Sequence, residues 1–261
     1  MAALLFSCSK GGNQDQEEKS NTKFKNEAHR MIYDMVQKVG NYDPLKDKVG
    51  VSYTYTDTSS SGKQDVSQEK YLFDGELSYG LLENHEKSFP NLQGPIEEGY
   101  DGENYWLKAG DSSITDPSVL DDVKFSRHTE FYWFAMFPKL LDPGLNYEYM
   151  GEWKSDTSSY DAVKVSFESP DDLPKDIYQV YINRNTGLVD HFLFTVVDKG
   201  KVDIPILARV AYENVEGILL PAYRKYRKSN WNAEVSEGPW TSVTWTDIRF
   251  DPTLSKEDFV E

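Results

Sequence analysis

Acidic side chains are the residues with which this chain could most readily do chemistry. Three doublets stand out in the sequence, namely Glu97–Glu98, Asp121–Asp122 and Asp171–Asp172. Two carboxylates can serve as acid and base in glycoside hydrolysis. Each doublet, however, falls at a predicted turn or helix start, where acidic residues are common for structural reasons. We therefore predict that the doublets are not catalytic and that the protein is not an enzyme.

The histidines and the single cysteine give no motif for a metal or a nucleophile. His29, His85, His128 and His191 are scattered, and none forms the helical pair that a metal site uses. One cysteine excludes an intramolecular disulfide and a Cys-based zinc site. Ser78 lies in a segment that resembles a nucleophile elbow, but a glutamate replaces the first glycine of that motif. The sequence predicts structural roles for these residues, no metal and no cofactor.

One cluster of basic residues occurs in this acidic chain, at Arg224, Lys225, Arg227 and Lys228. On a strand these side chains alternate between the two faces, so they cannot form a single patch of four charges. We interpret the segment as a solvated edge strand whose charges oppose aggregation. The alternative is a contact with anionic lipid headgroups.

The amino terminus resembles a bacterial lipobox. The segment Leu5 to Cys8 has an aliphatic residue, a tolerant position, a small residue and then the cysteine that would receive the lipid. The polar residues Ser9 to Thr22 follow and are typical of a solvated tether. The resemblance implies lipidation of Cys8, a membrane anchor, and a location at the outer membrane, facing the periplasm or the cell surface.

The segment before Cys8 is shorter than a complete signal peptide requires. Only Met1 to Ser7 precede the cysteine, and they contain no Lys or Arg. A secretory signal needs a basic region and an apolar core of ~7–15 residues. We therefore expect residues 1–23 to be a truncated signal with its lipobox and tether, or the true start to lie upstream.

Apolar spacing predicts two helical segments. Apolar residues between Phe24 and Val39 recur on one face of a helix, and Gly40 follows as a C-cap. Asp116 and Pro117 begin a second helix, which the pattern predicts to break near Ser126.

The rest of the chain alternates with period two between turn signals, which predicts an antiparallel meander. Predicted strands include Val51–Thr56, Lys70–Phe73, Leu77–Leu82, Tyr147–Trp153, Ala162–Phe167, Ile177–Asn183, His191–Val197, Val202–Tyr212, Ala222–Trp231 and Trp240–Phe250.

Composition limits the class of protein. With 17 Tyr, 13 Phe and 6 Trp the chain is too aromatic to be disordered, and its net charge of −16 repels nucleic acid. No apolar run approaches the ~18 residues of a membrane span. We predict one α+β domain over residues 24–261, a large curved antiparallel sheet with two helical segments that cap one concave surface.

Several motifs resemble a lipoprotein family of the Bacteroidetes that is similar to the outer-membrane lipoprotein carriers and receptors of the LolA/LolB type. They are FDGELSYG (73–80), YDGENYW (100–106), FPKLLDPG (137–144) and YINRNTGLVDHF (181–192). The resemblance covers roughly Phe24 to Phe250. It implies an open half-barrel, with helices covering its apolar concave face, that binds a lipid, a lipoprotein acyl chain or another apolar ligand there. We expect a monomer that is not an enzyme.

Alternation and the resemblance together place a set of side chains nearest the space between sheet and helices. We predict as ligand-binding residues Tyr53, Tyr55, Phe73, Trp106, Phe131, Phe134 and Ala135. The alternative hypothesis is an interaction scaffold or a carbohydrate-binding surface, whose concavity is filled by the protein's own side chains.

Overall fold

The computed structural model describes residues 23–40, 45, 47–169 and 173–261. The predicted lipobox at Cys8, its tether and the doublet Asp171–Asp172 lie outside the described residues. The described helices are α1 (Glu27–Lys38), α2 (Pro117–Phe134) and α3 (Met136–Lys139), with two 3-10 turns at Val197–Lys199 and Lys256–Asp258.

Thirteen strands form one antiparallel sheet in the described part of the chain. They are β1 (Gly50–Thr58), β2 (Gln64–Leu72), β3 (Leu77–His85), β4 (Ile96–Tyr100), β5 (Tyr105–Ala109), β6 (Ser112–Ser113), β7 (Leu145–Lys154), β8 (Ser159–Phe167), β9 (Ile177–Asn183), β10 (Val189–Val196), β11 (Lys201–Val215), β12 (Ile218–Lys228) and β13 (Thr241–Phe250).

The sheet consists of two meanders joined side by side. Its order is β6-β5-β4-β3-β2-β1-β13-β12-β11-β10-β9-β8-β7, so the pairing of β1 with β13 unites the two halves. Strands β6 and β7 are the two edges, and the chain passes from one edge to the other through α2 and α3. The predicted open half-barrel of α+β type, with helices over its concave face, is confirmed.

Helix α1 packs on the β7 end of the concave face. The side chain of Asn26 caps it by accepting a hydrogen bond from the backbone N–H of His29 at 2.9 Å. Its buried residues match the predicted apolar face, except that Met31 is only half-buried. The buried set is Ala28, Ile32, Met35 and Val36.

Shortening Ile32 should lower the free energy of unfolding, because this side chain is fully buried in the core beneath α1. We expect Ile32→Val to cost about 0.5–1.5 kcal/mol. Lys38→Ala, at an exposed position of the same helix, should be nearly neutral by urea denaturation. Equal losses in the two variants would contradict the assignment of the buried face.

Helix α2 is continuous, so the predicted break near Ser126 was wrong. Asp116 caps the helix by accepting from the backbone N–H of Ser118, and Pro117 occupies its first turn. Ser126 donates its hydroxyl hydrogen bond to the carbonyl of Val123 at 3.1 Å. Such a back-bond satisfies the serine inside a helix without interrupting it. A hinge in the middle of α2 therefore has no structural basis.

Strand β12 lies in the middle of the sheet, between β11 and β13, so the prediction of an edge strand was wrong. The alternation of its basic side chains is as predicted. Arg224 points to the concave side and is 2 % exposed. Lys225 and Arg227 lie on the other face, within 5.1 and 4.4 Å of the ring centroid of Trp240.

Candidate functional site

A cavity of about 860 Å³, partly open to solvent, lies between α2 and the concave face of the sheet. This volume falls within the range of small-molecule binding sites. One end is aromatic and aliphatic, and it is formed by strands β8 to β12 with residues Phe167, Tyr178, Phe194, Ile206 and Tyr226. The opposite end is acidic, and it is formed by Asp57 on β1, Asp65 on β2 and Glu98 on β4. The cavity is therefore amphipathic.

The acidic end is organised around one buried arginine on α2. Arg127 is 2 % exposed, and its Nη1 donates to Glu69 Oε2 at 2.7 Å. Its Nε lies 3.0 Å from Glu98 Oε1, and its Nη2 donates to Glu130. Tyr71 donates its hydroxyl hydrogen bond to Glu69 Oε2 at 3.1 Å. Three acidic side chains thus share one guanidinium.

Gly80 on β3 makes room for this arrangement. A Cβ at this position would lie 2.8 Å from Arg127 Nη1 and 3.0 Å from Glu69 Oε1. Any larger residue would therefore displace the guanidinium from the carboxylate that it contacts. This requirement gives a structural role to the final glycine of the FDGELSYG segment.

Two carboxylates at the acidic end are incompletely paired. Glu98 Oε2 and Asp57 Oδ1 are buried and have no hydrogen-bond partner among the described residues. Asp65, in contrast, is satisfied by the backbone N–H groups of Lys87 and Ser88, at 2.7 and 3.1 Å. The carboxyl oxygens without a partner at this end of the cavity thus belong to Glu98 and Asp57, each of which has an ion pair through its other oxygen.

Burial shifts the titration of these acids upward. Burial raises the pKa of Glu98 to about 7, although Arg127 lowers it, and Glu69 raises it further. Burial also raises the pKa of Glu130, against the effect of Arg127 and with support from Glu69 and Glu98. The pKa of Asp57 is raised by burial despite its ion pair with Lys87. Removing these carboxyls from water disfavours their charged form.

Part of the concave face is filled by the protein's own aromatic rings. The ring of Tyr53 lies 5.8 Å from that of Phe134 and 5.1 Å from that of Trp245. Phe131 and Tyr71 pack beside them, with their ring centroids 5.6 Å apart. Ring pairs at these separations contribute to core stability. Here Tyr53, Phe131 and Phe134 serve as packing between α2 and the sheet.

The remaining predicted ligand-binding residues lie in three places, and Phe131 also borders one of them. Tyr55 lines the amphipathic cavity. Phe73, Phe131 and Ala135 line a second cavity of about 630 Å³ near α3. Trp106 lies on the convex face, where its indole N–H donates to the carbonyl of Phe259 at 3.0 Å. Trp106 therefore does not lie in the space between the sheet and the helices.

The sequence analysis did not identify Arg127 and Glu98, the two residues at the centre of the acidic end. Arg127 follows Val123 by four positions and precedes Phe131 by four, so it lies on the apolar stripe of the helix. A charged residue on such a stripe is a signal of burial. Glu98 was assigned to a turn, whereas it lies in strand β4 and is buried. Glu98 follows Ile96 by two positions, and residues two apart on a strand share a face. This spacing was the signal that could have indicated its burial.

The histidines occupy separate positions in the fold. His191 stacks on Tyr181 with ring centroids 4.4 Å apart, and burial lowers its pKa to about 4. His29 stacks on Tyr147 at 4.5 Å, and His85 is bonded to the backbone oxygens of Phe89 and Gly94. Within the described ranges, no three His, Cys, Asp or Glu side chains are grouped so that they could hold a metal ion.

The open antiparallel sheet with its helix-covered concavity is the LolA-like half-barrel fold, and solved structures agree. A DUF1329 family protein from Desulfovibrio piger matches over 90 % of this chain and 97 % of its own, with 14 % identity and a TM-score of 0.50. A LolA superfamily protein from Nitrosomonas europaea matches over the same shares, with 11 % identity and a TM-score of 0.51. At these identities the likeness shows the fold alone.

No protein-family model matches the sequence, and no curated protein matches it. Among the described residues, no helix has both the length and the hydrophobicity to span a membrane.

Proposed function

We propose that this chain is a non-enzymatic envelope lipoprotein that binds the acyl chain of a lipid, a lipoprotein or another apolar ligand in the cavity beneath α2. The observation that carries the proposal is the aromatic end of that cavity. Strands β8 to β12 present Phe167, Tyr178 and Phe194 to about 860 Å³ of space, which no side chain fills. Apolar surface of this kind gains free energy when a ligand removes it from water. A LolA-like fold is consistent with this role.

An interaction scaffold with a filled concavity is the second candidate. It is favoured by the packing of Tyr53, Phe134 and Trp245, which fills the part of the concave face where α2 meets β1 and β13. The two candidates differ in whether a ligand occupies the remaining cavity. A measurement of ligand binding therefore distinguishes them.

A larger side chain in the cavity should reduce binding. We expect the folded full-length chain to bind a fluorescent fatty-acid probe, and Ser126→Trp, which fills part of the cavity, to weaken binding by at least about tenfold. Lys124→Trp, at an exposed position of the same helix, should bind as the parent does. Circular dichroism would show that both variants fold. A folded parent that binds no fatty acid, phospholipid or lipopeptide would support the scaffold.

Anchoring through Cys8 is a separate part of the proposal. Two or three acyl chains give stable attachment, whereas one gives marginal binding. When the chain is expressed behind a complete lipoprotein signal peptide, labelled palmitate should be incorporated, and Cys8→Ala should abolish the label. Incorporation that persists in the variant would refute lipidation at this cysteine. We also propose that the protein lies at the outer membrane and belongs to a lipoprotein family of the Bacteroidetes.

A further inference from the structure

Glu98 presents a buried carboxyl oxygen that the described residues leave without a hydrogen bond. The residue is 3 % exposed, its side chain lines the cavity, and its Oε2 has no hydrogen-bond partner among the described residues. A buried carboxylate without a partner carries a large desolvation cost. A group that enters the cavity and supplies hydrogen-bond donors would remove that cost.

The cations near this end are already engaged. Arg127 contacts Glu69, Glu130 and Oε1 of Glu98. Lys87 is paired with Asp57, whose Oδ1 is also unpartnered. Both cations are therefore held by acidic side chains, and neither donates to Glu98 Oε2 or Asp57 Oδ1.

Arg224, in the middle of the cavity, is held by other groups. It donates from Nε to the Tyr226 hydroxyl at 2.6 Å and from Nη1 to the Pro221 carbonyl at 3.0 Å, and its guanidinium lies 4.1 Å from the ring centroid of Trp245. At the acidic end, four acidic side chains line the cavity beside Arg127, namely Asp57, Asp65, Glu98 and Glu130.

The opposite end of the cavity has an aromatic and aliphatic wall, which Asp176, Asp198 and Lys199 border, and this wall suits an apolar chain. The rings of Tyr132 and Tyr178 stack at 5.9 Å, and those of Trp133 and Phe194 meet at 5.0 Å. These pairs join α2 to strands β9 and β10 and leave apolar surface along the wall of the cavity. The strand order separates this wall from Glu98 by the width of several strands. A ligand that satisfies both ends must have two chemically different parts.

We propose that the ligand is a cationic amphiphile, with a primary amine at Glu98 and an apolar chain against strands β8 to β11. An ammonium group provides three donors and no acceptor, which matches unpaired carboxylate oxygens. This inference rests on the proposed function, because it names the class of ligand that the same cavity would take. The elevated pKa of Glu98 adds a consequence, since binding of a cation should favour the ionised carboxylate and release a proton.

Three probes of equal chain length test the proposal: dodecylamine, dodecanol and dodecanoate, each titrated below its micelle concentration into the full-length chain. We expect dodecylamine to bind at least about tenfold more tightly than dodecanoate, with dodecanol between them. Its affinity should rise from pH 6 to pH 8, where an alkylamine stays charged as lysine does. Butylamine, which lacks the chain, should bind far more weakly.

A matched pair of variants links the preference to one residue. Glu98→Gln should lower the affinity for dodecylamine by at least about tenfold, leave dodecanol unchanged and remove the pH dependence. Glu97→Gln should behave as the parent, because Glu97 is the neighbouring residue on the opposite face, bonded to Tyr79. Glutamine has nearly the same shape as glutamate and can still accept a hydrogen bond from Arg127, so the variant should fold.

The outcomes separate this inference from the proposed function. Binding of dodecanol and dodecylamine with equal affinity, or an unchanged preference in Glu98→Gln, would overturn the inference and leave acyl-chain binding intact. Tighter binding of dodecanoate would overturn it in favour of an anion at Arg224. Butylamine binding as tightly as dodecylamine would show a site for small cations only. Failure of all the probes with a C12 chain to bind would refute the proposed function itself.

Discussion

Arg127→Met should destabilise the folded chain by about 3–5 kcal/mol, the cost expected when one member of a buried ionic cluster is removed. Arg127 is 2 % exposed, and it is the group that holds Glu69, Glu98 and Glu130 together. Methionine keeps much of the side-chain length but leaves three carboxyls facing one another without a cation. Urea denaturation at pH 7 would measure the loss as a lower midpoint.

The pH dependence of this loss distinguishes charge from packing. Burial raises the pKa values of Glu98 and Glu130, so these carboxyls can bind protons at pH 5. The cost of Arg127→Met should therefore be smaller at pH 5 than at pH 7. Lys199→Met, which removes an exposed ion pair with Asp122, should change stability by at most about 1 kcal/mol at either pH. An equal loss in Arg127→Met at both values would mean that the arginine acts through packing.

Glu98→Gln should become more stable than the parent as the pH rises from 5 to 7. The carboxyl of Glu98 has a pKa of about 7 in the folded protein, against about 4.3 in an unfolded chain. Within this window the folded parent retains a proton that the unfolded parent has released. Stability of the parent therefore falls with rising pH, by about 1.4 kcal/mol per pH unit for this group. Glutamine does not titrate, so the variant escapes this loss.

The stability of the parent must be compared with that of the variant at each pH, because a second group changes stability with pH in the opposite direction. His191 has a folded pKa of about 4, below its unfolded value, so its stabilising contribution is lost as the pH falls from about 6.5. Both proteins share this contribution, and it cancels in the difference. Glu97→Gln should follow the parent across the range. A constant difference between Glu98→Gln and the parent from pH 5 to 7 would show that Glu98 ionises normally.

Local sequence patterns predicted much of the fold. The apolar period of α1 identified its buried face, because helical spacing alone decides which side chains share a side. Asp74–Gly75 and Asp101–Gly102 lie in the turns between β2 and β3 and between β4 and β5, and Asp-Gly is a dipeptide that favours tight hairpin turns. The alternating segments placed most strands within a few residues of their bounds. The two-residue strand β6 was missed, because so few residues carry its pattern.

Other features depended on contacts between distant parts of the chain. The sequence showed that β12 alternates in charge, but only the pairing with β11 and β13 put it inside the sheet. The helix was expected to break at Ser126, whereas packing against β3, β4 and β5 keeps it continuous. Local patterns cannot specify these neighbours, because pairing and packing join residues far apart in sequence.

By itself, the sequence determined an open antiparallel sheet with an apolar concave face and amphipathic helices to cover it. The tertiary structure decided which aromatic residues fill that face and which line a cavity. It also brought Arg127 from α2 to Glu69 on β2 and Glu98 on β4. The physical reason is that burial and ion pairing depend on three-dimensional proximity, whereas hydrophobic periodicity is a property of each segment alone.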